Sequence, residues 1–138
     1  MRIAQTIALA LAIAAQVVFV SGCTSPVPAT VTRAPRTTLK ANPAIYVQAN
    51  LQKPRVAESL RNAGVRPTES YGEADYILNV KVGRRRQTRA CGGSGNIAYI
   101  LDGGNRHLMV IKGRGFTGTC VPNIFDEMSE TLASYFGG

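Results

Sequence analysis

Residues 74–82, Ala74-Asp75-Tyr76-Ile77-Leu78-Asn79-Val80-Lys81-Val82, carry the clearest structural pattern in the chain. From Tyr76 onward every second side chain is apolar, and the polar Asn79 and Lys81 fall between them. A period of two is typical of a β-strand that buries one face and leaves the other to solvent. Such a strand needs further strands beside it and a covering layer over its apolar face, and the flanking segments must supply both.

The segments before this strand predict a second strand and a helix. Residues 44–48 are rich in β-branched and aromatic side chains, which predicts a short strand. Between Lys53 and Ala63 the apolar residues recur at helical spacing, with Pro54 in the first turn and Gly64 just past the end. Because proline at the start and glycine after the end are typical helix boundaries, the sequence predicts a helix over 53–63.

The segments after the strand predict a hairpin and a final helix. Residues 97–101 and 107–112 are strand candidates, and Asp102-Gly103-Gly104-Asn105 between them tolerates the positive φ of a hairpin turn. Around and after Pro122 the apolar side chains recur every 3.6 residues, up to the closing glycine pair. The residues of this predicted helical face are Val121, Phe125, Met128, Leu132 and Tyr135.

The predicted element order is β-α-β-β-β-α, in a chain of 138 residues that can hold one domain and not two. We therefore expect an α+β fold, a two-layer sandwich with two helices on one face of a mostly antiparallel sheet of about four strands. The strand, helix, glycine and ADYxLxVxV pattern from Ile45 to Val80 resembles small periplasmic domains of envelope lipoproteins, including surface-exclusion and secretion-accessory ones. The resemblance implies a domain that works in the cell envelope.

The N-terminus has the pattern of an exported protein. Met1 and Arg2 precede an almost wholly apolar run from Ile3 to Val20, which ends in Val20-Ser21-Gly22-Cys23. This tetrapeptide resembles the lipobox of bacterial lipoproteins, which implies a signal peptide over 1–22 and a lipid on Cys23, the first residue of the mature chain. An uncleaved signal anchor and ordinary secretory cleavage stay open, because the apolar run is close to the ~20 residues that span a bilayer.

Residues 23–43 are rich in proline and threonine, which predicts an extended tether, with the folded domain at 44–138. Proline-rich chain extends about 3.1 Å per residue, so this tether would reach up to roughly 60 Å from the membrane. Thr24 follows the lipidated cysteine, where an aspartate retains many lipoproteins at the inner membrane. The resemblance therefore implies a lipid anchor in the outer membrane, on its periplasmic side.

Cys91 and Cys120 remain once Cys23 is assigned to lipid. Two cysteines in a small exported domain are most often bridged, and closing a loop of about 30 residues is worth roughly 3 to 4 kcal/mol. We therefore predict a disulfide between Cys91 and Cys120. A reactive thiol at Cys91, activated by nearby arginines, is the open alternative.

Basic residues concentrate between positions 81 and 114, where eight lysines and arginines stand against Asp102 alone. The whole chain has 16 basic and 8 acidic residues, so this segment holds most of its formal net charge of +8. Clustered cations favour anionic lipid, lipopolysaccharide, acidic peptidoglycan groups or an acidic envelope protein, with a solvated basic loop as the plain alternative. Because an export signal removes the chain from the cytoplasm, we expect no nucleic acid partner. The predicted surface for an anionic partner comprises Arg84, Arg85, Arg86, Arg89, Arg106 and Arg114, flanked by Lys81 and Lys112.

Little in the sequence supports catalysis or a bound cofactor. His107 is the single histidine, which excludes a multi-histidine zinc site, and we expect an ordinary exposed or half-packed side chain there. Residues 113–118 match G-x-G-x-x-G but lack the following helix, strand and acidic residue that a dinucleotide site requires. We expect no enzyme, metal or cofactor; an enzyme would need a polar cleft that joins His107 to a carboxylate or to Cys91.

Together these features predict a lipid-anchored periplasmic lipoprotein that acts as a non-catalytic binding or accessory module through its basic surface. The alternative is a structural subunit of an envelope assembly, such as a secretion, conjugation or surface-exclusion system, with a sheet edge or the acidic last helix as the contact. Salt dependence distinguishes the two functions. Screening by salt should release a partner that is bound by charge, whereas a structural subunit should stay in its assembly.

Overall fold

The computed structural model describes residues 29–83, 86–88, 92–118 and 123–137. Within these ranges the chain forms seven strands and two α-helices, with a short 3₁₀ helix at Tyr71–Glu73. In chain order the elements are β1 (Thr30–Arg33), β2 (Ala44–Ala49), α1 (Lys53–Asn62), β3 (Arg66–Thr68), β4 (Tyr76–Val82), β5 (Arg86–Thr88), β6 (Gly92–Gly103), β7 (Arg106–Phe116) and α2 (Ile124–Ala133).

The strands form one mixed sheet. Its order is β1-β7-β6-β4-β2-β3, and β5 pairs with β6 outside this path. β2 is parallel to both β3 and β4, whereas the other pairs are antiparallel. The α+β class is confirmed, but the sheet has more strands than the four predicted. The additional strands β1, β3 and β5 have only three or four residues, too few to show a recognisable period.

Both helices cover the same face of the sheet, and the core lies between the two layers. Along β4 the alternate side chains Leu78, Val80 and Val82 are buried, as the period of two predicts. The amphipathic faces of α1 and α2 pack against this layer and against each other. The fully buried apolar helix side chains include Val56, Leu60, Phe125, Met128 and Leu132.

The glycine, asparagine and proline residues that predict turns and helix boundaries lie at those positions in the structure. Gly104 and Asn105 both have positive φ, 57° and 63°, at the turn that joins β6 to β7. Two consecutive residues with positive φ match the twist of a tight hairpin, which explains the glycine and asparagine there. α1 has Pro54 in its first turn, and Gly64 follows its end with φ of 84°.

The predicted tether is wrong over residues 30–43, because that segment belongs to the fold. β1 pairs with the outer edge of β7. Leu39 is 4% exposed and makes an isolated parallel bridge to Phe136, and Pro43 is buried. The partners of this segment are about 80 to 100 positions away in sequence. The local proline and threonine content therefore does not show that the segment joins the fold. The folded domain therefore begins near residue 30 and not at 44.

Candidate functional site

Many of the predicted site residues lie outside the described ranges. Cys23, Cys91 and Cys120 are among them, so lipid attachment and the disulfide stay predictions. The signal peptide over 1–22 also lies outside these ranges. Of the predicted basic surface, the structure describes the backbone of Arg86 in β5 and the whole of Arg106 and Arg114. The remaining members, Arg84, Arg85 and Arg89, lie outside.

The face of the sheet opposite the helices carries a row of basic and small side chains. Lys81 on β4 pairs with Ala98 on β6, and Ala98 pairs in turn with Lys112 on β7. Lys112 also pairs with Thr30 on β1. Residues directly opposite one another share a face of the sheet. Two lysines therefore stand two strands apart, about 10 Å, with a small alanine between them.

Arg114 extends this row along β7. It lies two residues beyond Lys112 on the same strand, opposite Asn96 of β6. These side chains border a concavity of about 480 Å³ whose floor includes Gly83, Ala98 and Gly113. We call it the basic groove and define it by Lys81, Lys112 and Arg114.

The cations of the basic groove have no acidic partner in the described part of the chain. The residues that line the groove there include no Asp or Glu. The ion pairs among the described residues are Lys40–Asp75, Arg55–Glu58 and His107–Asp102, none of which involves the groove. All three groove side chains are exposed. The groove therefore offers three solvated, unpaired cations to an anionic partner.

Arg106 does not join Arg114 in one surface. Both are on β7, eight residues apart, and a strand rise of about 3.3 Å per residue separates them by about 26 Å. The predicted six-arginine surface is therefore divided along the strand. Arg106 lies at the hairpin end, where it lines a cavity of about 390 Å³ together with Arg33 and Arg36. We call this second site the arginine cavity.

An irregularity in β1 directs Arg33 toward the arginine cavity. Val31 pairs with Ile111, but Arg33 pairs with Val110, so the two strands are out of step by one residue between them. Without this bulge Arg33 would stand opposite the buried Met109, on the face that the helices cover. With it, Arg33 lies opposite Val110 on the open face. The sequence shows Arg33 and Arg36 only as basic residues of the predicted tether, because they meet Arg106 only through the β1–β7 pairing.

His107 also lines a separate polar cavity of about 550 Å³. Its Nδ1 contacts Asp102 Oδ1, and Asn79 Nδ2 donates a hydrogen bond to Asp102 Oδ2. The histidine side chain is 59% exposed, as the sequence led us to expect. The cleft that an enzyme would need is thus present, with His107 beside a carboxylate. The described residues that line it include no Ser, Thr or Cys, so the cleft lacks the nucleophile of a Ser–His or Cys–His pair.

Asp75 directly precedes β4 and connects it to the N-terminal segment. Its carboxylate accepts hydrogen bonds from Lys40 Nζ and from the backbone N–H of Ala44, both at 2.8 Å. The hydrogen bond from Lys40, and next that from Ala44, hold the pKa of the Asp75 carboxyl below its usual value. Its role in this geometry is to hold the chain before β2 against β4.

Two further properties of the described residues bear on function. They contain no group of three or more His, Cys, Asp or Glu side chains that is placed to hold a metal ion. Neither α1 nor α2, each ten residues long, has the length and apolar character needed to cross a membrane.

No family model and no curated protein matches this sequence. Among solved structures, the chain is similar to the PelC dodecamer from Paraburkholderia phytofirmans. In one crystal form, of a single-substitution variant, the TM-score is 0.51 at 15% identity, covering 81% of this chain and 99% of that one. In a second form the TM-score is 0.45 at 16% identity, covering 78% and 92% of the two chains. A minor lipoprotein from Acinetobacter baumannii has a TM-score of 0.33 at 7% identity, covering 66% and 89%.

The likeness at a TM-score of 0.51 concerns the fold alone. It extends over nearly the whole PelC chain, so the two-layer α+β arrangement of this protein is also found in a protein solved as a dodecamer. The two lower scores are too small to bear on the fold or on the function.

Proposed function

We propose that this protein is a lipid-anchored envelope lipoprotein that works as a non-catalytic binding module through the basic groove. The observation that carries the proposal is an open sheet face on which Lys81, Lys112 and Arg114 border one concavity, with no acidic side chain among its described lining residues. Cations left unpaired in this way attract anionic groups and gain charge-assisted hydrogen bonds on contact. The ligand classes that fit are anionic lipid, lipopolysaccharide, acidic peptidoglycan groups and acidic proteins.

The proposed anchor is Cys23, in the outer membrane with the domain in the periplasm. The lipobox supports this placement, and the described fold brings the domain closer to the anchor than a long tether would. Cys23 is seven positions before Thr30, where β1 begins. An extended chain spans at most about 3.6 Å per residue, so this spacer reaches no more than about 25 Å. The open sheet face is therefore within reach of anionic groups at the membrane surface.

A charge-matched pair of variants tests the basic groove. The groove variant replaces its three cations with glutamine. The control variant replaces three cations on other parts of the surface, Lys53, Arg61 and Arg66. Each full-length protein is purified from membranes in non-ionic detergent, and bound lipids and proteins are identified by mass spectrometry. We expect the groove variant to lose anionic partners that the control retains.

Salt dependence gives a second readout of the same proposal. Because the groove cations are solvent-exposed, partners of the wild-type protein should elute as salt is raised toward 1 M, where the screening length is about 3 Å. An unchanged partner set for the groove variant, or loss of the same partners from the control, would show that the groove is not the contact surface.

The second candidate function is that of a structural subunit in an envelope assembly. The observation that favours it is the shared fold with PelC, which was solved as a dodecamer. The sheet also ends in two short edge strands, β1 and β3, whose outer edges pair with no further strand among the described residues. Native mass spectrometry of the detergent-solubilised protein separates the candidates. A subunit should give one defined oligomer that survives moderate salt, and a binding module should give a monomer.

We also propose that the protein is not an enzyme, although His107 and Asp102 lie together in a cleft. An exposed histidine paired with a carboxylate can accept and return a proton, but it needs a positioned nucleophile or activated water to cleave a bond. A His107→Ala variant should retain the partner set of the wild type. If the His107→Ala variant instead retains an uncleaved molecule that the wild type cleaves, His107 has a catalytic role.

A further inference from the structure

The arginine cavity brings together cations from two distant parts of the chain. Arg33 and Arg36 come from β1 and the loop after it, and Arg106 opens β7 some 70 positions later. The cavity of about 390 Å³ also has Thr37 and His107 in its lining. This volume is in the range of small-ligand sites and far below what a protein surface would occupy. The cavity is lined by different arginines from those of the basic groove.

The three guanidinium groups have no ion-pair partner among the described residues, and the described residues that line the cavity include no Asp or Glu. Arg106 also borders the polar cavity that contains Asp75 and Asp102. The Asp75 carboxylate there contacts Lys40, and that of Asp102 contacts His107 and Asn79. No hydrogen bond or ion pair within the described ranges uses the side chains of Arg33, Arg36 or Arg106. Three like charges around one small cavity repel one another, so an anion placed between them would be bound favourably.

The chemistry of the lining distinguishes among anions. Each guanidinium presents a planar fork of donors that matches two oxygens of a phosphate or a carboxylate. One such fork already occupies both oxygens of a carboxylate. A phosphate monoester carries three terminal oxygens and a charge of about −1.5 to −2 at neutral pH, so it can accept from all three arginines and balance most of their charge.

We propose that the arginine cavity is a binding site for a phosphate monoester group, with Arg33, Arg36 and Arg106 as its ligands. The phosphate is either free or carried on a lipid headgroup, and the same chemistry serves both. The lipid-borne source is within reach if Cys23 is lipidated, because Arg33 is ten positions after it. The site itself does not depend on the proposed role of the basic groove.

Isothermal titration calorimetry of the full-length protein in non-ionic detergent tests the site. The probes are inorganic phosphate, dihexanoyl phosphatidic acid as a lipid monoester, dihexanoyl phosphatidylglycerol as a diester, and acetate as a monocarboxylate. We expect inorganic phosphate and phosphatidic acid to bind at least about tenfold more tightly than acetate and the diester, because each of the latter has only two charged oxygens and does not engage three guanidinium groups. Tighter binding of phosphatidic acid than of inorganic phosphate assigns the site to lipid, and equal binding assigns it to the phosphate group alone.

Substitutions then locate the binding. Arg36→Gln and Arg106→Gln should each weaken monoester binding by about tenfold or more, since charge-assisted hydrogen bonds are lost. Arg36→Lys should restore little, because lysine keeps the charge and loses the fork. Lys53→Gln and Arg61→Gln, both on α1 and outside both basic sites, are the matched controls and should bind as the wild type does.

Three results would overturn the proposal. One is the absence of binding for both inorganic phosphate and phosphatidic acid, and another is binding that Arg36→Gln and Arg106→Gln leave unchanged. The third is an equal loss in the Arg61→Gln control, which would show a response to net charge and not to a site. Far-UV circular dichroism of each variant guards against misfolding. Loss of groove partners in the earlier experiment has no bearing on these outcomes, because the two sites use different arginines.

Discussion

Substitution of Leu39 tests whether the N-terminal segment belongs to the fold. Leu39 is 4% exposed and packs in the main core, and its backbone bridges Phe136 near the C-terminus. Leu→Ala removes about three carbon groups, worth about 0.8 kcal/mol each, or about 2.4 kcal/mol in transfer free energy. The remaining cavity adds to this loss, so we expect Leu39→Ala to lower the free energy of unfolding by about 2.5 to 3 kcal/mol.

Leu51→Ala is the matched control, because Leu51 is 43% exposed. Its loss of burial should cost less than about 1 kcal/mol. Urea denaturation of the full-length proteins in non-ionic detergent, followed by far-UV circular dichroism, measures both. With a slope of about 1.3 kcal/mol per molar urea, Leu39→Ala should move the midpoint down by about 2 M. A midpoint shift no larger than that of Leu51→Ala would show that Leu39 does not pack in the core, and residues 34–43 would then act as the tether that the sequence predicts.

Three further outcomes are expected. The pKa of the Asp75 carboxyl is lowered in the folded state, so the carboxylate stabilises the fold above about pH 4 and this contribution disappears as pH falls through the lowered pKa. Asp75→Asn should therefore flatten the decline of the urea midpoint below about pH 4, and a slope equal to that of the wild type would contradict this. Asn123 caps α2 by accepting a hydrogen bond from the backbone N–H of Phe125 at 2.9 Å, so Asn123→Ala should cost about 1 kcal/mol in the same assay. Intact-mass analysis with and without reductant should show that Cys91 and Cys120 form a disulfide, whose loss costs roughly 3 to 4 kcal/mol, and free thiols in the untreated protein would contradict it.

The two basic sites lie at opposite ends of β7. The basic groove lies toward the end of β7 and the arginine cavity at its start, and the bulge in β1 places Arg33 on the same open face as Lys112. An anionic surface that met this face would contact both sites at once. The groove would supply exposed charges that act over a Debye length, and the cavity would supply short, directed hydrogen bonds. Salt should therefore weaken binding to the groove more than binding to the cavity.

Elements with a local pattern could be predicted from the amino-acid order alone. The alternation in residues 74–82, the proline and glycine around α1, the turn at 102–105 and the helical spacing after Pro122 all appear in the structure where they were predicted. Each of these signals needs only neighbours within a few positions, because strand and helix periods are properties of a single segment. The concentration of positive charge was equally readable, since charge depends on composition alone.

Which basic residues share a site depends on long-range strand pairing. Arg106 and Arg114 are close in sequence, but an extended strand holds them about 26 Å apart. Arg33, Arg36 and Arg106 are distant in sequence, yet the pairing of β1 with β7 and a one-residue bulge bring them to one cavity. The same pairing draws residues 30–43 out of the predicted tether and into the fold. Pairing between strands depends on contacts between residues that are tens of positions apart. Residues 30–43 have no helical or strand period, so no local pattern specifies those contacts.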